Sequence, residues 1–387
     1  MKIKSITQVK NLANKTVLLR CDLNVPLKNG RVAGDYKILA ALETINFLIE
    51  AKAKIVIMSH LGRPKGQVDS KYSLKPVARA LAKLLNQDIE LVDTIGLKTK
   101  QAIKSLEPGK IVLLENLRFY PEERANDKKF AQQLASLAQI YVNDAFGVSH
   151  RRQASLAAIQ EFIPSYAGLL IEKEVNNLNK IFSAQKPFVV IIGGVKIKTK
   201  VPLINKLYDS TDKILVGGAV ANTILLAQGK EVGKSLVDED GLEWAKKLKT
   251  KSNKIMLPID VVVKNGKSVS VKPVNRVLKS DIILDIGPAT ISEYAQVIKR
   301  ANTVIWNGPL GKIEDSKSRQ GTLTMARLLG TRSTAGAFCV VGGGDIVSAL
   351  RMAKVDKYIN WVSTGGGATL LYLAKEPMPG LTKLIKN

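Results

Sequence analysis

At 387 residues the chain is long enough for two domains, each with its own core. An apolar share of 45 % excludes a disordered chain, and no apolar run approaches the roughly 18–20 residues of a membrane span. The formal net charge of +26 reads as a lysine-rich solvated surface plus an anion site rather than a nucleic-acid surface, because the densest basic stretch, Lys246–Lys251, has no interleaved aromatics.

The N-terminal stretch Met1–Thr7 has no signal-peptide core. Short apolar runs then alternate with stretches of helical period. The predicted strands of the first half are Thr16–Cys21, Lys54–Ser59, Ile89–Val92, Ile111–Leu114 and Ile140–Asn143. Helical period marks Ile38–Ala51, Leu74–Leu85 and Phe130–Gln139. An amphipathic stretch from Gly168 to Phe182 stops before Pro187 and is expected to link two domains. The second half continues with Pro187–Ile192, Lys213–Gly217, Ile255–Val263, Asp281–Ile286, Thr303–Asn307, Phe338–Gly342 and Trp361–Ser363, with a small β excursion at Gly266–Val271. The alternation predicts an α/β fold of two doubly wound lobes with parallel sheets. Cys21 and Cys339 fall in strands of different halves and read as free thiols of a reducing compartment, hence the cytoplasm.

Chemistry gathers at the strand ends. Four first-half strands run into Asp22-Leu23-Asn24, Ser59-His60-Leu61-Gly62-Arg63, Glu115-Asn116-Leu117-Arg118 and Asn143-Asp144 followed by His150-Arg151. Ligands of open parallel sheets bind beyond the carboxyl ends of the strands, and converging Arg and His suit a small, multiply charged anion. Glycine dominates the other half: 7 of the 29 lie in residues 1–167 and 22 in 168–387. Gly193-Gly194, Gly217-Gly218, Gly342-Gly343-Gly344 and Gly365-Gly366-Gly367 stand at strand-to-helix junctions, where backbone N–H groups can meet phosphate.

Individual residues carry competing readings. Lys196 and Lys200 share a face if a helix starts there, and cations so placed suit phosphoryl transfer; either alone is an ordinary surface lysine. Asp345 reads equally as a magnesium ligand or a helix N-cap. Ser363-Thr364-Gly365 is a phosphoryl-stabilising turn or a plain glycine turn, and Trp306–Gly311 walls a base pocket or packs as a rigid turn. Gly229–Ser235 mimics a Walker loop, but its glycine spacing is one short and it follows a helix, so it reads as a helix-end turn. Lys246–Lys251 is the densest basic stretch and has helical phase.

Together these segments resemble phosphoglycerate kinase, in matches running from Arg20 to Gly380. They include Arg20-Cys21-Asp22-Leu23-Asn24-Val25-Pro26, Ser59-His60-Leu61-Gly62-Arg63-Pro64, Asn143-Asp144-Ala145-Phe146-Gly147, Asp285-Ile286-Gly287-Pro288-Ala289-Thr290 and Trp306-Asn307-Gly308-Pro309. The resemblance implies a two-lobed, hinge-bending enzyme that exchanges a phosphoryl group between 1,3-bisphosphoglycerate and ADP, with magnesium and no phosphoenzyme. It implies an N-terminal 3-phosphoglycerate domain (1–167), an interdomain helix (168–185), a nucleotide domain (186–370) and a tail (371–387) packing back onto the first. Glycerate would be held by Asp22, Leu23, Asn24, Lys37, His60, Leu61, Gly62, Arg63, Arg118 and Arg151. ATP or ADP would be held by Lys196, Lys200, Gly217, Gly218, Asn307, Pro309, Glu314, Gly342, Gly343, Gly344, Asp345 and Ile346, with Asp345 toward Mg²⁺. Lys37, Lys196 and Gly365–Gly367 would act on the transferring group. A monomer with no membrane or nucleic-acid partner is expected.

The chain departs from the family pattern at four positions. Lys37 replaces an arginine, Gln153 a histidine, Ile346 a threonine and Ile313 a phenylalanine. The changes at Lys37 and Ile346 leave open a second reading, a kinase-like binder of nucleotide, other anions or nucleic acid with little turnover.

Overall fold

A computed structural model describes residues 2–248 and 253–386. They form two compact units, residues 1–176 with 377–387, and residues 177–376. The division falls inside the stretch read as a linker, which is helical over Leu169–Asn179 and continues as a 3₁₀ turn over Lys180–Ser183.

The first unit holds a six-stranded parallel sheet, in the order Glu90–Val92, Ile111–Leu114, Lys54–Met58, Thr16–Cys21, Ile140–Asp144, Ser165–Ala167. Strands buried on both faces read as continuous apolar runs, so the sequence reveals them without alternation. The side chains still alternate. Val17 and Leu19 join the core under helices Tyr36–Glu50 and Lys75–Leu85, whereas Leu18 joins the core under Leu97–Ser105 and Lys128–Ala135. Arg20 follows Leu18 onto that second face and is fully buried. The four strands with chemical ends are the four central ones, and the strand order turns around Thr16–Cys21.

The second unit repeats the architecture with the order Ile255–Met256, Lys213–Val216, Phe188–Ile192, Thr303–Asn307, Phe338–Gly342, Trp361–Ser363, all parallel. This is the 3-2-1-4-5-6 order of dinucleotide-binding sheets, and it turns between Phe188–Ile192 and Thr303–Asn307. The single strand expected over Ile255–Val263 is two. Pro258 cannot donate to a ladder, so the chain leaves the parallel sheet after Met256 and starts an antiparallel strand at Asp260–Asn265. That strand pairs with Ser268–Pro273 and Ile282–Ile286, which accounts for the predicted excursion.

Short pairings escape the sequence reading. Lys2–Ile3 pairs with Ile385–Lys386, and Leu27–Lys28 with Arg31–Val32. The segment that belongs to the first unit begins at Pro377; Leu371–Leu373 still ends the helix Gly367–Leu373 of the second. Of the basic stretch, Lys246 and Lys247 end the helix Leu242–Lys247, and Lys249–Lys251 lie outside the described residues. Cys21 and Cys339 are buried free thiols in strands.

Candidate active site

In the first unit, side chains tie the strand-end loops together. Ser59 Oγ accepts from Leu23 N at 2.9 Å and donates to Cys21 O at 2.8 Å. Asn24 Oδ1 accepts from Gly62 N at 2.9 Å. Asn116 accepts from Leu61 N and Arg118 N and donates to Leu61 O and Tyr72 O. Leu23 and Leu61 are themselves buried, so they position backbone only. The pinned loops bring Asp22, Asn24, His60, Gly62 and Arg118 together at the turning point of the sheet.

The electrostatics of this cluster are one-sided. Arg118 is pushed down to about 10, first by burial and then by Arg151 and Arg20. Burial, then Arg20, Arg118, Arg151 and Lys37, hold His60 well below its usual value, and burial with Arg151 drives His150 down to about 4. His60 Nε2, Arg118 Nε, His150 Nδ1 and Gln153 Oε1 are buried and make no hydrogen bond. A buried donor without a partner is costly, and so is a cluster of like charges. Both costs fall if an anion takes the donors. Asp22 offsets part of the charge through Lys37, whose Nζ lies 2.7 Å from Asp22 Oδ2. Arg63 is exposed beside the cluster, and Arg151 is partly buried.

The sequence reading assigns no role to Arg20 or Glu123. Arg20 donates from Nε to Ser155 Oγ at 3.0 Å, approaches His60 Nδ1 at 3.0 Å through Nη2, and donates to Cys21 O. Glu123 accepts from Ser155 N at 2.9 Å and from Ser155 Oγ at 2.7 Å. Glu123 sits in Pro121-Glu122-Glu123-Arg124, which reads as a solvated helix; only the packing reveals its complete burial. Arg20 does leave a signal in the sequence, a lone charge inside an apolar strand.

In the second unit the glycines sort into two kinds. A Cβ on Gly193 would lie 2.1 Å from Pro309 O, one on Gly308 (φ +81°) 2.5 Å from Gly193 O, and one on Gly217 2.9 Å from Leu310 Cα. Gly193 N donates to Asn307 O, Gly194 N to Pro309 O and Gly218 N to Leu310 O. These glycines let three strand-end turns pack on one another. Gly344 and Gly367 have nothing within 4 Å of an added Cβ and open onto free space. Gly343 (φ +120°) is the N-cap of helix Gly344–Met352, which removes the capping alternative for Asp345. Asp345 stands exposed in the first turn. Ile346 is fully buried in the core and offers only backbone. Asn307 Nδ2 donates to Gly342 O at 2.5 Å. Ser363 Oγ accepts from Gly365 N at 3.1 Å and shares a hydrogen with Thr369 Oγ1.

Lys196 and Lys200 do not share an α-helical face. Pro202 lacks the N–H that an earlier helix would need, so Lys196 precedes a 3₁₀ turn, Ile197–Thr199, and the helix starts at Val201. They remain close. Burial lowers the Lys200 ammonium, Asp345 and Asp238 oppose this, and Lys196 adds to it. Beside them opens a cavity of about 650 Å³, lined by Gly218, Pro309, Leu310, Glu314 and Asp345 and by an apolar wall that includes Leu236 and Ile283. A cavity of that size, apolar on one side and with few polar groups, suits a nucleotide-sized ligand.

The family model described as phosphoglycerate kinase matches residues 6–376. The chain belongs to the phosphoglycerate kinase family. It is 43 % identical over 385 residues to the phosphoglycerate kinase of Pelotomaculum thermopropionicum, covering 97 % of each chain. It is 44 % identical over 386 residues to that of Moorella thermoacetica, with 97 % of this chain and 98 % of the relative covered. Among solved structures, the phosphoglycerate kinase of Pyrococcus horikoshii OT3 is similar at a TM-score of 0.88 and 31 % identity, covering 99 % of this chain and 98 % of the other. The phosphoglycerate kinase from Coxiella burnetii is similar at a TM-score of 0.84 and 38 % identity, covering 99 % of each. The activity is that of the family: reversible phosphoryl transfer between 1,3-bisphosphoglycerate and ADP, a glycolytic step, with ATP and ADP as co-substrates. Among the described residues no helix is long and apolar enough to cross a membrane.

Proposed function

We propose that the cationic cluster of the first unit binds 3-phosphoglycerate and that the cavity of the second binds the adenine nucleotide. The observation that carries this reading is the set of buried donors, His60 Nε2 and Arg118 Nε, left unpaired amid cations that depress one another. Asp22, Asn24, Lys37, His60, Arg63, Arg118 and Arg151 would hold the glycerate, and the backbones of Leu23, Leu61 and Gly62 would set their spacing.

Phosphoryl transfer asks for positioning and charge stabilisation more than for covalent chemistry. Lys196 and Lys200 would neutralise the phosphates, with Lys37 facing the transferring group from the glycerate side. The N–H groups at Gly343–Gly344 and Gly366–Gly367 would face phosphate oxygens, Gly365 would shape that turn with its own N–H given to Ser363 Oγ, and Gly217, Gly218, Asn307, Pro309, Glu314 and Ile346 would shape the nucleotide site. Asp345 fits a magnesium ion that takes its other ligands from phosphate and water, since no cluster of three acidic, His or Cys side chains exists among the described residues. Bound there, magnesium would offset phosphate charge. We further propose that the segment 168–185 is the hinge, and that the enzyme acts as a cytoplasmic monomer. Two buried free thiols support a reducing compartment.

Calorimetric titration of 3-phosphoglycerate and of MgADP, each alone, into wild-type enzyme, Arg151→Ala and Asp345→Ala tests the assignment. Arg151→Ala is expected to lose glycerate affinity only, and Asp345→Ala nucleotide affinity only. Equal losses of both ligands in either variant would overturn it.

A further inference from the structure

We infer that Arg20, Ser155 and Glu123 form a relay that fixes the ring of His60 as the Nε2–H tautomer, so that its free Nε2–H points at the anion cluster as a permanent donor. Arg20, Ser155 and Glu123 are thus positioning residues; none of them needs to touch the substrate. The inference rests on the glycerate reading of that cluster for its purpose, but not for its chemistry.

The direction of every bond follows from what each group can do. A guanidinium only donates. Arg20 Nε therefore gives its proton to Ser155 Oγ at 3.0 Å, and Ser155 spends its one hydroxyl proton on Glu123 Oε1 at 2.7 Å. Glu123 also takes Ser155 N–H at 2.9 Å, which holds the serine in register. Arg20 Nη2 lies 3.0 Å from His60 Nδ1, so Nδ1 must accept. An imidazole that accepts at Nδ1 carries its proton at Nε2. That atom is buried and has no partner. Arg20, Ser155 and Glu123 are all fully buried, which leaves water little room to offer an alternative.

The surroundings act in the same sense. The charged groups facing His60 are Arg20 from its own sheet, Arg118 from the turn after Ile111–Leu114, Arg151 from the turn after Ile140–Asp144, and Lys37 from helix Tyr36–Glu50, the last paired with Asp22. Four cations and a buried ring disfavour imidazolium. Protonating Nδ1 would also set a proton against the Arg20 donor. The ring is thereby held neutral while one of its nitrogens still donates, as anion binding requires.

The chain has only two histidines, so its imidazole nitrogens are readable directly. Long-range ¹⁵N–¹H correlation spectra of the full-length enzyme without ligand, with His150→Gln to assign the pair, test the relay. Wild type is expected to show His60 protonated at Nε2, bare at Nδ1, and flat through the neutral pH range. Arg20→Met should mix the tautomers and bring the titration up toward that range. Should Arg20→Met fail to fold, Ser155→Ala removes the acceptor that aims Arg20 together with the hydroxyl donated to Glu123, and should mix the tautomers too, with Ser155→Thr restoring them. In kinetics Ser155→Ala should raise KM for 3-phosphoglycerate about tenfold with kcat nearly unchanged, the pattern of a lost ground-state donor. A proton at Nδ1 in wild type, or an Nε2–H tautomer that persists in both Arg20→Met and Ser155→Ala, overturns the relay. Adding 3-phosphoglycerate to wild type should shift the Nε2–H signal. If the tautomer is as stated and that signal stays still, the glycerate reading falls and the relay stands.

Discussion

At the carboxyl ends of its sheet the first unit presents arginine and histidine side chains; the second presents glycine backbone and a cavity. In the function proposed above, the two answer the same physical problem, attraction of a phosphate-bearing ligand, at different costs. Side chains bring full charges, but those charges must be desolvated and held against one another, as the depressed Arg118, His60 and His150 record. Backbone brings only partial charges, and its close packing rests on Gly193, Gly217 and Gly308 having no Cβ to strike the neighbouring turns. The first design is sensitive to charge and salt, the second to volume.

The sharpest way to break that contrast is to add one carbon to each kind of glycine. Gly193→Ala should destabilise the protein by about 3 kcal/mol or more, because the added Cβ meets a carbonyl oxygen that is part of a turn. Gly344→Ala should leave stability unchanged or raise it by up to about 1 kcal/mol, since alanine favours the helix it opens. It should nonetheless weaken MgADP binding. Denaturant unfolding and calorimetry read both; equal destabilisation would show that the two kinds do not differ.

A buried carboxyl is common to both units, and it tests how far each tolerates charge. Burial pushes Asp144 up to about 7, and its Oδ2 has no partner. The folded state then holds its proton more tightly than the unfolded state does. Stability contributed by this group is fullest below the ordinary carboxylate pKa of 3.8 and declines as pH rises toward about 7. Each tenfold difference in proton affinity between the two states is worth roughly 1.4 kcal/mol. Asp144→Asn should therefore gain about 2–3 kcal/mol near pH 8 and almost nothing near pH 4. Unfolding curves at the two pH values check it. Asp285 of the second unit is also raised to about 7, but its two oxygens accept from Ile286 N and Gly321 N, so asparagine there would set an NH₂ against a donor and should lack the gain expected at Asp144.

The single-ligand contrast comes next in size. Arg151→Ala should cost about 1.5–3 kcal/mol of 3-phosphoglycerate affinity, the range for hydrogen bonds to charged groups. Added salt should erode wild-type glycerate binding more than nucleotide binding. A salt response of equal steepness for both ligands would erase the distinction between the two designs.

The smallest effect concerns Lys37. Its single point charge is already engaged with Asp22 at 2.7 Å. A guanidinium has donors enough to keep Asp22 and still grip phosphoryl oxygens, so Lys37→Arg should raise kcat by a few-fold, about 1 kcal/mol, with KM little changed. Steady-state kinetics decide. Arg31, exposed in the hairpin Leu27–Lys28 with Arg31–Val32, is the control; Arg31→Ala should leave kcat alone.

Much of this was legible because parallel strands advertise themselves. Ile140–Asp144 and Phe188–Ile192 are apolar runs too short for helices, and the residues just after each run fall at the ligand end of the sheet. What stayed hidden depended on partners distant in sequence. Ser165–Ala167 is a strand only because Ile140–Asp144 lies beside it. Glu123 looks solvated in sequence, and its burial exists only once Ser155 and Arg20 arrive. Gly193 and Gly344 are indistinguishable as letters; what a side chain would strike separates them.

The tail has a consequence for the order of synthesis. Asn143 Nδ2 donates to Gly380 O, Gly380 N to Ser149 O, and Lys383 N to Gln160 Oε1. Gly380 fits so closely that a Cβ there would lie 2.9 Å from Ser149 Cα. These partners are translated after the whole of residues 177–376. In a nascent chain Asn143, Ser149 and Gln160 of the first unit therefore lack these tail partners until the second unit, contiguous in sequence, has been made. The unit begun first is completed last, after the whole of the second.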